Sequence, residues 1–288
     1  MEITPDCVPC LMKRVLFQAR LLDNGCETEA VGAALRAYAK EYAPGRNSAE
    51  VATEVHRAAY GVMRVDPYYQ MKLDSDRIAG GYLDKVTEFV ESSDDPFRAA
   101  VMVAVIGNIM DFGTPHAISG PEEFDSRFAG MLEQGIGSDD TDRFRELLSK
   151  SKSILYFFDN CGESQFDKLL IRRIRAMGKR VVGVVRGEAI LNDVTYEDAV
   201  RIGMDKEVDR LVSTGAFMIG VNLKLAGGEL KEEIKKADLI VAKGMANYES
   251  MSDQDFGVPK VHILRTKCNS VARSLGVPEN INVVRILP

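Results

Sequence analysis

The segment Ile154-Leu155-Tyr156-Phe157-Phe158 runs without a polar break into Asp159-Asn160-Cys161-Gly162-Glu163. An apolar run of this length, rich in branched and aromatic side chains, suits a strand covered on both faces, as in a parallel sheet. The polar pair sits where the run stops. A helical pattern follows at once, with Phe166, Leu169, Leu170, Ile174 and Met177 three and four residues apart and Gly178 as its stop. A strand feeding a helix in this way reads as part of an open α/β sheet. Such sheets bind ligands just outside the carboxyl ends of their strands, where Asp159 and Asn160 fall. Both residue types are also common helix caps, so position alone leaves two roles open.

The same alternation fills the rest of the chain. Strand-like runs at 154–158, 181–185, 211–212, 239–242, 261–264 and 283–287 alternate with helical ones, which implies a doubly wound, mostly parallel sheet of α/β/α type. The first half reads differently. Leu11, Val15, Ala19 and Leu22 recur on one helical face, and segments 30–42 and 49–65 continue in the same style, broken at Pro44-Gly45 and Asp66-Pro67. Asp66-Pro67-Tyr68-Tyr69, with Lys72 close behind, reads as a polar turn between helices. At 288 residues the chain exceeds the usual size of one core. We therefore expect a helical lobe over residues 1–150 and an α/β/α core over 151–288.

Asp94-Asp95-Pro96 has the signature of a helix start, acids followed by proline at the opening position. The helix it opens, 97–110, is almost wholly apolar and should be buried on all sides. Its end carries Asn108 and Asp111, three residues apart on one face. An acid at a helix C-terminus opposes the macrodipole, so Asp111 needs another reason to be there. Segment 113–142 is polar and reads as a connection with one or two short helices.

Composition narrows the partners. With 45% hydrophobic and 28% charged residues, a net charge of -6 and no basic block, the chain offers no electrostatic face for nucleic acid and fits a small-molecule ligand. No apolar run approaches the roughly 20 residues of a membrane span, and Met1-Glu2-Ile3-Thr4-Pro5-Asp6 does not resemble a signal peptide. A cytoplasmic protein is expected, with the oligomeric state left open. The five cysteines are too few and scattered for a disulfide framework. Cys7-Val8-Pro9-Cys10 has the spacing of half a zinc site or of a redox pair, but the other candidate ligands, Cys26, His56, His116 and His262, are isolated in the sequence.

The residues that each strand runs into carry more chemistry. They are Asp159-Asn160, then Arg186 and Asn192-Asp193-Val194-Thr195, then Ser213-Thr214-Gly215, Lys243-Gly244 and Lys267-Cys268. In a parallel sheet these share one rim. Asp159, Asn160 and Asp193 are hard oxygen donors suited to Mg²⁺ or Mn²⁺, while Lys243, Arg186 and Lys267, with Ser213 and its Thr/Gly neighbours, suit an anion. A divalent cation beside a cationic cradle is what phosphoryl transfer or phosphate-ester hydrolysis requires. Asp193 has a plainer alternative role as the cap of a helix beginning at Val194. Neither GxGxxG nor GxxxxGK[ST] follows any strand, and no GxSxG elbow is present.

Taken together, Gly107-Asn108 with Asp111, Asp159-Asn160 with Gly162-Glu163, Asn192 to Thr195, Lys243-Gly244 with Asn247-Tyr248-Glu249, and Lys267-Cys268 resemble the signature of the damage-control phosphatases. This family of metal-dependent phosphatases was long known only as a domain of unknown function and is also found fused to some eukaryotic pantothenate kinases. The resemblance spans nearly the whole chain, and the Cys7/Cys10 pair is similar to that of the prokaryotic and archaeal subgroup. It implies a divalent metal (Mn²⁺, Co²⁺, Ni²⁺ or Mg²⁺) on Asp159, Asn160 and Asp193, and hydrolysis of small phosphate monoesters such as sugar phosphates or damaged phosphometabolites. It also implies that Asn108, Asp111 and Lys243 surround the phosphate and metal. Arg186 stands where a lysine is expected in many relatives, which replaces a point charge by a planar fork.

The leading reading is thus a phosphatase in which a metal-activated water attacks phosphorus. Lys243, Arg186, Ser213 and Lys267 would hold the phosphate, and Asp111 would be a base or an outer metal contact. Direct attack by Asp159 is a second chemical route. Two other classes compete. A transferase using a nucleoside cofactor such as S-adenosylmethionine calls for an acid at the end of the second strand, and a non-catalytic phosphometabolite-binding protein calls for no turnover.

Overall fold

A computed structural model describes residues 1–107 and 121–288. The chain opens with three helices, α1 (Cys7–Leu21), α2 (Glu27–Glu41) and α3 (Ser48–Met63). Val15 and Ala19, Ala30 and Ala34, and Val51, Val55 and Ala59 close a small core of their own between them. Asn47 fixes the start of α3, its Oδ1 accepting the backbone N–H groups of Ala49 and Glu50 at 2.9 and 3.2 Å. The turn expected at Asp66-Pro67 is there, but it is shorter than the sequence suggests. Tyr69 already begins α4 (Tyr69–Gly81), so Lys72 is a buried helical residue.

Next come α5 (Leu83–Glu91) and α6 (Pro96–Ile106). Asp95 caps α6 by accepting the Arg98 N–H at 3.1 Å, and Pro96 opens the helix as expected. Asn108 and Asp111 lie outside the described residues. Beyond them run α7 (Pro121–Gln134) and α8 (Thr141–Lys150), with the two-residue strand β1 (Ser138–Asp139) between. Two residues are too few for any periodicity to register, which is why the sequence does not announce β1.

The six expected strands are present as β2 (Ser153–Phe157), β3 (Arg180–Val185), β4 (Arg210–Ser213), β5 (Leu239–Lys243), β6 (Lys260–Arg265) and β7 (Asn282–Leu287). Between them lie α9 (Glu163–Ala176), α10 (Tyr196–Arg201), α11 (Gly228–Ile234), α12 (Gly244–Met251) and α13 (Asn269–Leu275). The sheet order is β1-β7-β6-β5-β2-β3-β4, and every pairing is parallel except β6 with β7. Alternate residues serve opposite faces. Ile154, Tyr156 and Phe158 join one core with Val181 and Val241, while Leu155 and Phe157 join another with Val182, Val184 and Ile240.

Residue 150 is no boundary for the buried side chains. Ala79 of α4, Val86 and Val90 of α5, most of α6, and Phe144 and Leu148 of α8 share a core with the sheet. The cause is the apolar surface of α6, which no thin helical lobe could cover and which the sheet does. Helices α1–α3 alone enclose a separate core. Among the described residues no helix is long and apolar enough to cross a membrane.

The topology fixes where a ligand can sit. From β2 the chain steps outward through β3 to β4, then crosses back to place β5 on the other side of β2. The crevice beyond the carboxyl ends of β2 and β5 is therefore the switch point of the sheet.

Two buried histidines set an acid limit on this fold. His56 shares a hydrogen bond of 3.1 Å with Gln18, whereas neither ring nitrogen of His262 has a hydrogen-bond partner among the described residues. Burial pushes both pKa values down to about 3. A histidine depressed in the folded state takes up its proton first in the unfolded one. Stability is thus complete above pH ~6.5 and declines as pH falls toward 3, by up to about 1.4 kcal/mol per pH unit for each ring. His262→Phe keeps the edge contact with the Tyr248 ring and removes two unmet polar atoms. We expect a thermal midpoint at pH 7 equal to or above that of the natural protein, and a shallower decline from pH 6.5 to 4.5.

Candidate active site

The end of β2 and the return from β3 are zipped together by backbone hydrogen bonds. The Val194 N–H donates to Asp159 O and the Cys161 N–H to Asn192 O, both at 2.9 Å, and Asn160 and Asp193 form an antiparallel bridge. On the β3 side the Arg186 N–H donates to Val194 O at 2.8 Å. These bonds place Asp159 and Asp193 side by side, although they are far apart in sequence. Neither acid is spent on a cap. The residue before α9 is Gly162, and α10 is capped by Thr195 in a reciprocal box with Asp198.

The side chains then interlock. Asn160 donates through Nδ2 to Asp159 at 2.8 Å and to Glu163 at 3.1 Å, leaving its Oδ1 as the donor oxygen. Arg186, only 2% exposed, donates from Nε to Asp193 at 2.6 Å and from Nη1 to Gly220 O and to Asn247 at 2.9 and 3.1 Å. Its Nη2 has no hydrogen-bond partner among the described residues and lies 3.9 Å from Asp159. Lys243 is wholly buried and donates to Glu163 and Asp167, each at 2.6 Å, while Tyr156 donates to Asp167 at 2.7 Å. Asn247 donates to Phe158 O and Lys243 O at 3.0 and 2.7 Å, which pins α12 to the ends of β2 and β5.

Among the described residues the charges do not balance. Asp159, Asp193, Glu163 and Asp167 face two deeply buried cations, Arg186 and Lys243, with half-buried Lys267 at the edge. Burial, then the neighbouring Asp193 and Glu163, push the Asp159 pKa well above the carboxylate range, against the pull of Arg186 and Lys267. Burial likewise raises Asp167, to about 6, although Lys243 opposes it. Burial disfavours the Lys243 ammonium, but Asp167 and Glu163 outweigh it and hold its pKa above the ordinary value. The deficit of positive charge falls on Asp159.

Those donors fit a hard divalent cation. Among the described residues no group of three or more His, Cys, Asp or Glu side chains is arranged to hold a metal. A cation here would rest on the Asp159 and Asp193 carboxylates and the Asn160 carboxamide, with water and substrate completing its shell, as Mg²⁺-type ions accept. Asp159 already carries the electrostatic demand that such an ion would meet.

An outer ionic layer holds the two acidic segments in register. Asp76 of α4 accepts the Gly162 N–H at 2.7 Å and the Arg201 guanidinium at 2.8 Å. Arg201 also donates to Asp198 at 2.6 Å, and Asp198 accepts from the Thr195 N–H and hydroxyl and from buried Lys72. Burial opposes the Asp198 charge, but Lys72, Thr195 and Arg201 prevail and bring its pKa down to about 2.

The structure brings Asp159, Asn160, Asp193 and Arg186 into contact, and the Lys267 charge is near enough to act on Asp159. Lys243 lies deeper, with two of its three donors engaged by carboxylates. Ser213 ends β4 opposite Val185, and it is the adjacent Thr214 whose hydroxyl accepts the Gly187 N–H at 2.9 Å. Sequence reasoning assigned no roles to Glu163, Asp167, Asn247 or the Asp76–Arg201–Asp198 layer. Glu163 and Asp167 had a usable signal, two acids one helical turn apart just after the Asp159-Asn160 pair.

Known proteins share this architecture. Residues 3–283 match the damage-control phosphatase ARMT1-like domain. The chain belongs to that family. It is 37% identical over its full length to a damage-control phosphatase of Archaeoglobus fulgidus, all of which is covered. It is also 31% identical to a damage-control phosphatase of Pyrococcus horikoshii, with 97% of this chain and 96% of that one aligned. The crystal structure of a DUF89 family protein from P. horikoshii superposes with a TM-score of 0.87 at 30% identity, covering 99% of this chain and 98% of that one. The family expected from the motifs is thus the one found, and the α/β fold matches a solved member.

One glycine tests the packing of the site. Gly244 has φ +75°, and a Cβ added there would stand 1.8 Å from Asp159 Oδ2. Only glycine lets α12 start against that carboxylate. Gly244→Ala is expected to lower the thermal midpoint by several degrees and to abolish most activity, because Asp159 must move. An alanine protein with a normal midpoint and normal turnover would show that this contact does not constrain the site.

Proposed function

We propose that this chain is a metal-dependent phosphatase that hydrolyses small phosphate monoesters. The observation that carries the reading is the excess of buried negative charge at the switch point, focused on Asp159 beside Asp193. Family membership supports the reaction class, and the name of the A. fulgidus relative, damage-control phosphatase, agrees with it.

Asp159, Asp193 and the Asn160 Oδ1 would hold the cation. When bound, a divalent ion polarises the phosphoryl group and lowers the pKa of an attached water. The chain's own residues supply the rest. Arg186 orients the Asp193 carboxylate through Nε and turns Nη2 toward the side of Asp159. Lys267 brings a positive charge to the same side and suits the equatorial oxygens of a phosphoryl group. Lys243 holds Glu163 and Asp167 in place beneath the site, and Glu163 in turn anchors Asn160. Burial around these groups excludes water and strengthens each interaction. β3 closes on buried Arg186, so the ribose of a nucleoside cofactor would lack the acid that usually receives it.

Phosphate release from an aryl phosphate, compared with and without Mn²⁺, Co²⁺, Ni²⁺ and Mg²⁺, is the direct assay. Release only with metal is expected, and no release with any of the four would contradict the proposal. Two variants should then separate in an informative way. Asp159→Asn removes the charge that the metal-free site opposes, so the apo-protein should gain roughly 1–2 kcal/mol while turnover falls by about two orders of magnitude. Asp193→Asn should lose turnover as well but cost stability, because it removes the negative charge 2.6 Å from the buried Arg186 guanidinium. Thermal midpoints of both variants without metal, read beside phosphate release with Mn²⁺, provide the check.

A further inference from the structure

The Cys7/Cys10 pair takes no part in the site described above, and the fold gives it a third partner. Cys7 and Cys10 lie in the first turn of α1, three residues apart, and Cys268 is the residue before α13. The two helix starts meet. Cys7 Sγ lies 3.5 Å from the Thr4 hydroxyl and 4.0 Å from the Ser270 hydroxyl, and those hydroxyls are 2.5 Å apart. Thr4 and Ser270 therefore bring the first turn of α1 onto the first turn of α13, where the Val271 N–H points at the Cys268 sulfur. None of the three cysteines is bridged in this structure, and Cys10 is exposed.

We propose that Cys7, Cys10 and Cys268 form a thiol–disulfide site in which oxidation joins Cys10 to Cys268. The oxidant is a low-molecular-weight disulfide. Cys10 attacks one of its sulfurs, releasing one small thiol and leaving a mixed disulfide; the Cys268 sulfur then displaces the second small thiol. Two protein S–H bonds are lost and one S–S bond forms, while the small disulfide takes the two electrons and two protons as two thiols. Cys7, one helical turn from Cys10, is placed to exchange with it.

Two observations favour this over the zinc reading that a CxxC pair also allows. No metal-ligand group of three or more His, Cys, Asp or Glu occurs among the described residues. Burial, Glu249 and the other two cysteines push the Cys268 thiol up to about 11. A place that penalises thiolates favours a neutral link, and a disulfide of high-pKa thiols is slow to form and resists reduction. The bond would tie α1 to the loop after β6, where Cys268 directly follows Lys267, and so would fix the backbone of a residue whose charge acts on Asp159.

The test uses the full chain, reduced, freed of reductant and incubated with oxidised glutathione. Remaining thiols are alkylated, and the digest is mapped by mass spectrometry. We expect a peptide pair linking Cys268 to Cys10, or to Cys7 through exchange, and a rise in thermal midpoint of roughly 5–10 °C that a reductant reverses. Cys10→Ser should divert the link to Cys7, and Cys7→Ser should leave the Cys10 link intact. A Cys7–Cys10 bridge alone, a fully alkylated Cys268, or stoichiometric zinc on the thiols would overturn the proposal. None of these readouts depends on phosphatase activity.

Discussion

Burying two carboxylates, one just after β2 and one after β3, beside a single guanidinium is the constraint on which the rest of this structure depends. Asp159 and Asp193 are brought near each other by backbone bonds between the end of β2 and the return from β3, so the fold itself enforces their proximity. The surrounding residues are arranged to tolerate it. Arg186 is inserted from β3 with three of its N–H donors engaged, Asn160 bridges Asp159 to Glu163, and Lys243 neutralises part of the charge below. What is left over is a shortage of positive charge, and it shows in the raised pKa of Asp159. A divalent cation would meet that shortage.

The helical part of the chain also serves the acidic pair. Helix α4 contributes Asp76, which grips the Gly162 N–H, and Lys72, which donates to the Asp198 that Thr195 also binds. Arg201 spans the two carboxylates and so couples the two segments outside the crevice. Salt bridges of this kind are weak stabilisers when they replace well-packed apolar groups. Their value here is geometric, because they brace from outside the two loops that the backbone bonds of the crevice join.

Much of this was legible from residues alone. The uninterrupted run before Asp159 and the βα alternation after it determined the sheet, because a strand buried on both faces leaves no other arrangement for its polar end. Asp159, Asn160 and Asp193 were identifiable as a group only because parallel strands deliver their ends to one rim. Contacts that depend on distant chain meeting distant chain were not legible. Lys72 read as part of a turn because nothing in its neighbourhood names Asp198 as its partner, and Cys268 was read only with Lys267 at a strand end because the α1–α13 contact is tertiary. The direction of β7 and the short β1 escaped for a similar reason, since pairing direction and two-residue strands leave no period in a sequence.

Diffraction from crystals soaked in Mn²⁺, with anomalous scattering collected near the manganese edge, tests the metal site most directly. We expect one dominant anomalous peak about 2.0–2.2 Å from carboxylate oxygens of Asp159 and Asp193 and from the Asn160 carboxamide oxygen. A strong peak elsewhere, with both carboxylates unoccupied and more than about 4 Å from any metal, would contradict the assignment.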